Sequence, residues 1–97
     1  MQFKDRDLQA FWIDPARYRQ KRIPANLYRV LYRKLQLLDA AETSGSLNDL
    51  RVPPGNRLEA LLGDREGQHS IRVNQRWRLC FKWTRYGVIG VELVDYH

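Results

Sequence analysis

The chain ends in three side chains that can carry out acid–base chemistry, Asp95, Tyr96 and His97. Histidine donates or accepts a proton near neutral pH, and a carboxylate orients or deprotonates a hydroxyl group. Arg78 adds a planar cation that holds a phosphate through two hydrogen bonds. Metal-free RNA cleavage needs these groups: a base for the ribose 2′-hydroxyl, a cation for the phosphate and an acid for the departing 5′-oxygen. A solvated tail is the alternative interpretation of the last three residues.

The second half of the chain alternates apolar and polar residues with the period of a β-strand. Beyond the turn-forming residues 53–56, we predict strands over residues 57–61, 69–73, 77–83 and 88–95. The short connections make neighbouring strands antiparallel. In the third strand, Arg78, Cys80 and Lys82 share one face, and the aromatic and aliphatic residues share the other. We expect helices to cover the apolar face and the basic face to accommodate a phosphodiester.

Two helices are predicted in the first half. Asp7 is expected to cap a helix that continues to Ile13. A second helix is expected to begin near Pro24 and end near Ala41, because leucines recur there every three or four residues and Gly45 follows. Helices followed by antiparallel strands predict an α+β fold, with the N-terminal helices packed on one face of a sheet of about four strands. A single domain over residues 1–97 is expected from the length.

The chain is basic, with 17 Lys and Arg against 11 Asp and Glu, a net charge of +6 and a pI of about 9.9. Residues 15–38 contain seven basic residues and no acidic residue. Such a segment predicts a polyanionic partner, for which nucleic acid, an acidic protein and a membrane surface are candidates. A merely solvated surface is the alternative. Arg29, Arg33 and Lys34, on the second predicted helix, are candidate contacts to such a partner, and to RNA if the partner is a nucleic acid.

Composition excludes several classes of protein. No apolar run approaches the roughly 18 residues that cross a bilayer, and the charged first residues do not resemble a signal peptide. We therefore expect a cytoplasmic protein with no membrane partner. The single cysteine, Cys80, and the two histidines do not form a zinc-binding pattern, so neither a metal nor a cofactor is expected.

Several motifs of the second half occur together at a specific spacing. They are Gly63-Asp64-Arg65-Glu66-Gly67 within residues 58–74, then Trp77-Arg78-Leu79, and the terminal Asp95-Tyr96-His97. This combination resembles the HigB toxins, which are also described as plasmid maintenance system killer proteins, within the RelE/ParE superfamily. The resemblance extends over residues 27–97, and the first 25 residues match only in general character.

The resemblance implies a RelE-like fold of the microbial RNase type. It also implies a type II toxin that cleaves mRNA in the A site of the translating ribosome. The implied partners are a HigA-like antitoxin with a helix-turn-helix domain, the ribosome and mRNA, with operator DNA bound only through the toxin–antitoxin complex. The active-site residues of the family correspond here to Asp95, Tyr96, His97 and Arg78. Further candidate RNA contacts are Lys82, Arg65 and Arg76.

The chain departs from the HigB pattern at two positions. Several HigB toxins carry a lysine and a histidine where this chain has Leu62 and Glu59. Two other functions therefore stay open: inhibition of DNA gyrase by binding, as in ParE proteins, and an attenuated toxin that acts mainly through its antitoxin. The acid–base ending argues against gyrase inhibition, which needs no catalytic residues. Leu62 and Glu59 favour attenuation.

Overall fold

The computed structural model describes residues 1–96. The helices lie in the first half of the chain: α1 spans Arg6–Ile13 and α2 spans Tyr28–Ser44. The strands follow, with β1 at Glu59–Ala60, β2 at His69–Arg72, β3 at Trp77–Thr84 and β4 at Gly87–Asp95. The predicted α+β order, helices first and strands afterwards, is confirmed.

The four strands form one antiparallel sheet in the order β1-β2-β3-β4. In this register Arg78 of β3 lies opposite Arg72 of β2 and Val94 of β4. Residues directly opposite each other share a sheet face, so the two arginines lie on the same side. The register of β3 against β4 shifts between Cys80 and Lys82. The register thus decides which side chains surround Arg78.

The hydrophobic core lies between α2 and one face of the sheet. Leucines spaced three or four residues apart along α2 are fully buried, and apolar residues of β2 and β3 join them in one cluster. The main members are Leu31, Leu35, Leu38, Ile71, Leu79 and Phe81. The expectation of helices on one face of the sheet is therefore confirmed. The exposed side of α2, which carries Arg29 and Arg33, faces away from the sheet.

The observed elements differ from the predicted ones at their ends. Asp7 is not the cap of α1; Asp5 is, since its carboxylate accepts a hydrogen bond from the Leu8 N–H at 3.1 Å. The first strand is also shorter than the predicted residues 57–61. Arg57 adopts a left-handed conformation (φ 46°) directly after the 3₁₀ turn Pro54–Asn56, which prevents an extended strand from starting there.

The second helix likewise begins and ends later than predicted. The segment Ala25–Leu27 forms a 3₁₀ turn, and the α-helix starts at Tyr28. Gly45 ends α2 in a left-handed conformation (φ 75°), with its N–H donating to the carbonyls of Ala41 and Glu42. Glycine adopts this conformation without steric penalty, so the predicted stop signal is confirmed.

Candidate active site

Arg78 is held rigidly on the sheet face opposite the core. It is 8% exposed. Its Nε donates to Ser70 Oγ at 2.8 Å, and its Nη2 donates to the Arg57 carbonyl at 2.6 Å and to the Ser70 carbonyl at 3.4 Å. Nη1 has no acceptor among residues 1–96. The two N–H groups of Nη1 are therefore available to bind an anion.

A pocket of about 370 Å³ opens beside Arg78. It is lined by Arg57, Glu59, Arg72, Asn74, Gln75, Arg78 and Tyr96. The strand register explains this set in part, because Glu59 lies opposite Ser70 and Arg72 lies opposite Arg78 on the same face. Like charges directly opposite each other destabilise a sheet, and a bound anion removes that repulsion. The pocket is suited to a phosphodiester.

Glu59 provides a carboxylate in the pocket. Its Oε1 lies 4.0 Å from Nη2 of Arg78, and its side chain is 56% exposed. A carboxylate at this distance is close enough to act on a group bound to the guanidinium. Sequence reasoning treated Glu59 only as a departure from a family pattern and did not mention Arg57 or Arg72 as site residues. Alternation of side chains along β1 and β2 places Glu59 and Arg72 on one face of their strands. Only the register with β3 shows that this face is the one that carries Arg78.

Tyr96 lies over Cys80 at the edge of the same pocket. Its hydroxyl is 3.8 Å from the Cys80 sulfur, and its backbone N–H donates to the Arg76 carbonyl at 2.7 Å. Burial raises the pKa of the Tyr96 phenol, and the hydrogen bond with Cys80 raises it further. The phenol therefore stays protonated at neutral pH and can donate a hydrogen bond.

Cys80 lies beneath this tyrosine and is fully buried. Burial raises the pKa of its thiol, which outweighs the opposing effects of the Tyr96 hydrogen bond and the Arg65 charge. Because the thiolate is the reactive form of cysteine, a neutral buried thiol is not a nucleophile. Cys80 therefore occupies the position of a packed structural residue.

Asp95 lies apart from the pocket. It is opposite Trp77 in the register, on the other sheet face from Arg78, and it binds Arg76 through both carboxylate oxygens at 2.7 to 2.9 Å. Of the four residues predicted to be catalytic, the structure thus brings Arg78 and Tyr96 to one pocket and places Asp95 on the other face of the sheet. His97 lies outside the described residues.

The six predicted RNA contacts divide into two groups. Three of them bind other residues of the chain: Arg65 donates to Glu92 at 2.5 Å, Arg76 binds Asp95, and Lys34 donates to the side-chain amide oxygen (Oδ1) of Asn56 at 2.6 Å. The other three, Arg29, Arg33 and Lys82, are exposed. The structure gives an ion pair or a side-chain hydrogen bond for each member of the first group and none within residues 1–96 for the second.

Two further observations concern ligands and membranes. In the described part of the chain, no three His, Cys, Asp or Glu side chains are grouped as metal ligands would be. No helix in residues 1–96 combines the length and the apolar character that spanning a membrane requires.

The α+β architecture and the arginine-lined pocket are compatible with the class of RelE-like toxins. A family model described as the RelE-like toxin of the type II toxin–antitoxin system HigB matches residues 1–97, and the chain belongs to this family of HigB-like toxins. The resemblance seen in the sequence is therefore confirmed, and the match also includes the N-terminal residues.

The chain is similar to three relatives, of which two carry the name HigB. Toxin HigB-1 of Vibrio cholerae is 46% identical over 96 residues, which are 99% of this chain and 92% of the relative. An uncharacterized protein of Haemophilus influenzae is 48% identical over 72 residues, 74% of this chain and 68% of the relative. Endoribonuclease HigB of Proteus vulgaris is 33% identical over 75 residues, 77% of each chain.

Proposed function

We propose that this toxin is a ribosome-dependent endoribonuclease that cleaves mRNA in the ribosomal A site and thereby inhibits translation. The observation that carries the proposal is the pocket in which Nη1 of Arg78 is open to an anion, with Glu59 and Tyr96 beside it. The name of the Proteus vulgaris relative, an endoribonuclease, supports it further. The small pocket suits a short RNA segment that the ribosome has already positioned.

In the proposed reaction the 2′-oxygen of the ribose attacks the adjacent phosphorus, and the bond from phosphorus to the 5′-oxygen breaks. Arg78 binds the phosphate and stabilises the charge that accumulates on its oxygens. Glu59 accepts the proton of the 2′-hydroxyl, and His97 donates a proton to the departing 5′-oxygen. Tyr96 donates a hydrogen bond to the phosphate. These groups complete the proton transfers without a metal ion.

Asp95 has an indirect part in this proposal. Through Arg76 it holds the end of β4, the strand that leads into Tyr96 and His97. The exposed Arg29 and Arg33 contact ribosomal RNA through its phosphates, which requires no sequence recognition.

The proposed partners follow from the family. As a type II toxin, the chain has a cognate antitoxin. We propose that this antitoxin is HigA-like, with a helix-turn-helix domain, and that the toxin binds operator DNA only through the complex with it. The reaction takes place in the cytoplasm, where ribosomes translate.

The test is primer extension on ribosomes that carry a defined mRNA. Wild-type protein is expected to produce new 5′ ends within the A-site codon. Arg78→Lys retains the charge but loses the guanidinium fork, and we expect its rate to fall about 100-fold. Arg85→Lys, at an exposed turn, is the matched control and should cleave normally. Intact mRNA together with inhibited gyrase supercoiling would contradict the proposal and support a ParE-like activity.

An attenuated toxin is the second candidate, and it is favoured by the leucine at position 62, where several HigB toxins carry a lysine. Leu62 is 82% exposed in the loop after β1 and is not among the residues that line the pocket. A lysine there would add a cation for RNA. If its absence limits the rate, Leu62→Lys will accelerate cleavage, whereas an unchanged rate will show that the chain needs no lysine at this position.

A further inference from the structure

The buried side chain of Asn56 fastens the loop before β1 to helix α2. Its Nδ2 donates to the carbonyls of Leu50 and Val52 at 3.1 and 3.3 Å. Its Oδ1 accepts a hydrogen bond from Lys34 Nζ at 2.6 Å. Asn56 is fully buried, so every polar atom of its side chain is satisfied by the protein. The side chain of Asn56 therefore links the loop to α2 through Lys34 and to the preceding segment through Leu50 and Val52.

Lys34 directs its charge inward. It is half-buried on α2, and burial lowers the pKa of its ammonium group, as does the neighbouring Arg33. Within residues 1–96 no carboxylate lies within ion-pair distance of Lys34. The ammonium therefore has the Asn56 amide oxygen as its charge-assisted hydrogen-bond partner.

Arg57, the next residue of the loop, connects the position of Asn56 to the pocket. Arg57 has φ 46° and ψ 58°, a conformation that residues with side chains rarely adopt. Its carbonyl accepts the 2.6 Å hydrogen bond from Nη2 of Arg78. With Ser70 holding Nε, this bond fixes the rotation of the guanidinium and leaves Nη1 for the ligand. The orientation of Arg78 thus depends on the position of the Arg57 carbonyl.

We infer that Lys34 and Asn56 are positioning residues for Arg78: they fix the loop whose Arg57 carbonyl aims the Arg78 guanidinium into the pocket. This inference rests on the proposed function, in which Arg78 binds the scissile phosphate. It replaces a direct RNA contact by Lys34 with an indirect role. It also gives a physical reason for a lysine that is half-buried and hydrogen-bonded to a buried amide.

A double-mutant cycle between Lys34 and Arg78 tests the inference. Lys34→Met keeps the apolar stem and removes the ammonium, and we expect kcat for cleavage on programmed ribosomes to fall about 10-fold with KM nearly unchanged. In an Arg78→Ala background the same substitution should have no further effect, because Lys34 acts through Arg78. Equal effects of Lys34→Met in both backgrounds, or a rise in KM alone, would show a direct RNA contact and overturn the inference.

Two controls keep the test decisive. Arg33→Met removes the adjacent exposed charge and should alter KM in both backgrounds alike. Lys34→Arg, which can still donate to Asn56, should restore kcat. If Lys34→Met does not fold, Lys34→Arg and Lys34→Gln take its place, and equal kcat values for these two would contradict the inference.

A readout without RNA separates this inference from the proposed function. The NMR signal of the Arg78 Nε–H, which donates to Ser70, should exchange slowly in the wild type and faster in Lys34→Met. If the wild type does not cleave mRNA but this change is seen, the proposed function fails and the positioning role stands. An unchanged signal in Lys34→Met overturns the positioning role whatever the activity.

Discussion

Arg76 holds Asp95 by a two-pronged ion pair, with nitrogen–oxygen distances of 2.7 to 2.9 Å. The same arginine accepts a backbone hydrogen bond from Tyr96, so it contacts two successive residues of the C-terminal segment. Its guanidinium also lies 5.7 Å from the ring centre of Trp77, within cation–π range. The turn between β2 and β3 thereby fixes the segment that brings Tyr96 to the pocket.

Loss of this ion pair should reduce catalysis more than stability. Arg76→Ala removes the guanidinium but keeps the backbone carbonyl that binds Tyr96, and we expect the cleavage rate to fall on the order of 10-fold because Asp95, the residue before Tyr96, is no longer held. The thermal unfolding midpoint should change little, since the pair is exposed. Primer extension and thermal unfolding measure the two effects. Arg85→Ala is the control, and a normal rate in Arg76→Ala would show that the ion pair does not position the segment.

The Tyr96 hydroxyl should increase the cleavage rate as a hydrogen-bond donor. Its ionisation should not lower that rate near neutral pH. Tyr96→Phe keeps the ring over Cys80 and removes one hydrogen-bond donor, so we expect a 10- to 100-fold lower rate, roughly the loss of one such donor. Because the pKa of Tyr96 lies above its ordinary value of 10.0, the wild-type rate should show no fall from tyrosine ionisation up to pH 9.

The measurement is a pH–rate profile of both proteins, with Tyr86→Phe as the control at an exposed turn. If Tyr96→Phe cleaves at the wild-type rate, the hydroxyl has no role in the reaction. A wild-type rate that declines below pH 9 and loses this decline in Tyr96→Phe would show instead that the phenol ionises early.

Most of the fold could be predicted because it depends on local patterns. The leucine spacing of α2, the left-handed stop at Gly45 and the alternation of β3 are properties of short segments, and short connections leave antiparallel pairing as the simple arrangement. The errors lie where two local signals compete. Asp5 and Asp7 are both suitable caps, and only the backbone position decides for Asp5.

The site was less predictable because it depends on register and on long-range contacts. The residue types of Arg78 and Tyr96 indicate their chemistry, but the sequence does not show that Glu59 lies 4.0 Å from Arg78. The hydrogen bond from Lys34 to Asn56 joins residues 22 positions apart, so helical periodicity describes Lys34 only as a surface cation. A charge count likewise does not separate Arg76, which pairs with Asp95, from surface arginines such as Arg29 and Arg33, which have no ion pair within residues 1–96.

The arginines of α2 should govern ribosome affinity and not the chemical step. Arg29 and Arg33 lie on the side of α2 that faces away from the sheet, whereas the pocket lies on the sheet face that α2 does not cover. In the double variant Arg29→Gln/Arg33→Gln we expect weaker ribosome binding. The slope of log K against log salt should fall by about 1 to 2, as expected for the loss of two phosphate contacts.

Ribosome sedimentation over a series of salt concentrations measures this effect, and single-turnover cleavage at saturating ribosome measures the chemical step. Arg51→Gln, an exposed arginine outside α2, is the control. An unchanged salt slope in the double variant would show that α2 does not contact RNA. A slower single turnover at saturation would place these arginines in the reaction itself.

Glu42 should be the main source of acid sensitivity in the helix–sheet contact. Its carboxylate accepts hydrogen bonds from the Met1 ammonium at 2.9 Å and the Val88 N–H at 2.7 Å. Gly87 permits this approach, because a Cβ there would lie 2.9 Å from Glu42 Oε2. Burial acts to raise the pKa of Glu42, but the two donors outweigh it and hold the pKa below its ordinary value of 4.5.

A carboxyl whose pKa is lowered by folding stabilises the protein above its unfolded pKa, and this contribution is lost as the pH falls through the folded pKa. We therefore expect Glu42→Gln, which keeps one acceptor oxygen but removes the charge, to lower the free energy of unfolding at pH 7 by about 1.5 to 3 kcal/mol, the usual contribution of hydrogen bonds to a charged group. Below pH 4.5 the difference between variant and wild type should shrink, because the wild-type carboxyl becomes protonated as well. Urea unfolding between pH 3 and pH 8 measures both quantities, with the exposed Glu66→Gln as the control. If the difference in the free energy of unfolding between variant and wild type is constant from pH 3 to pH 8, the charge of Glu42 does not contribute to stability.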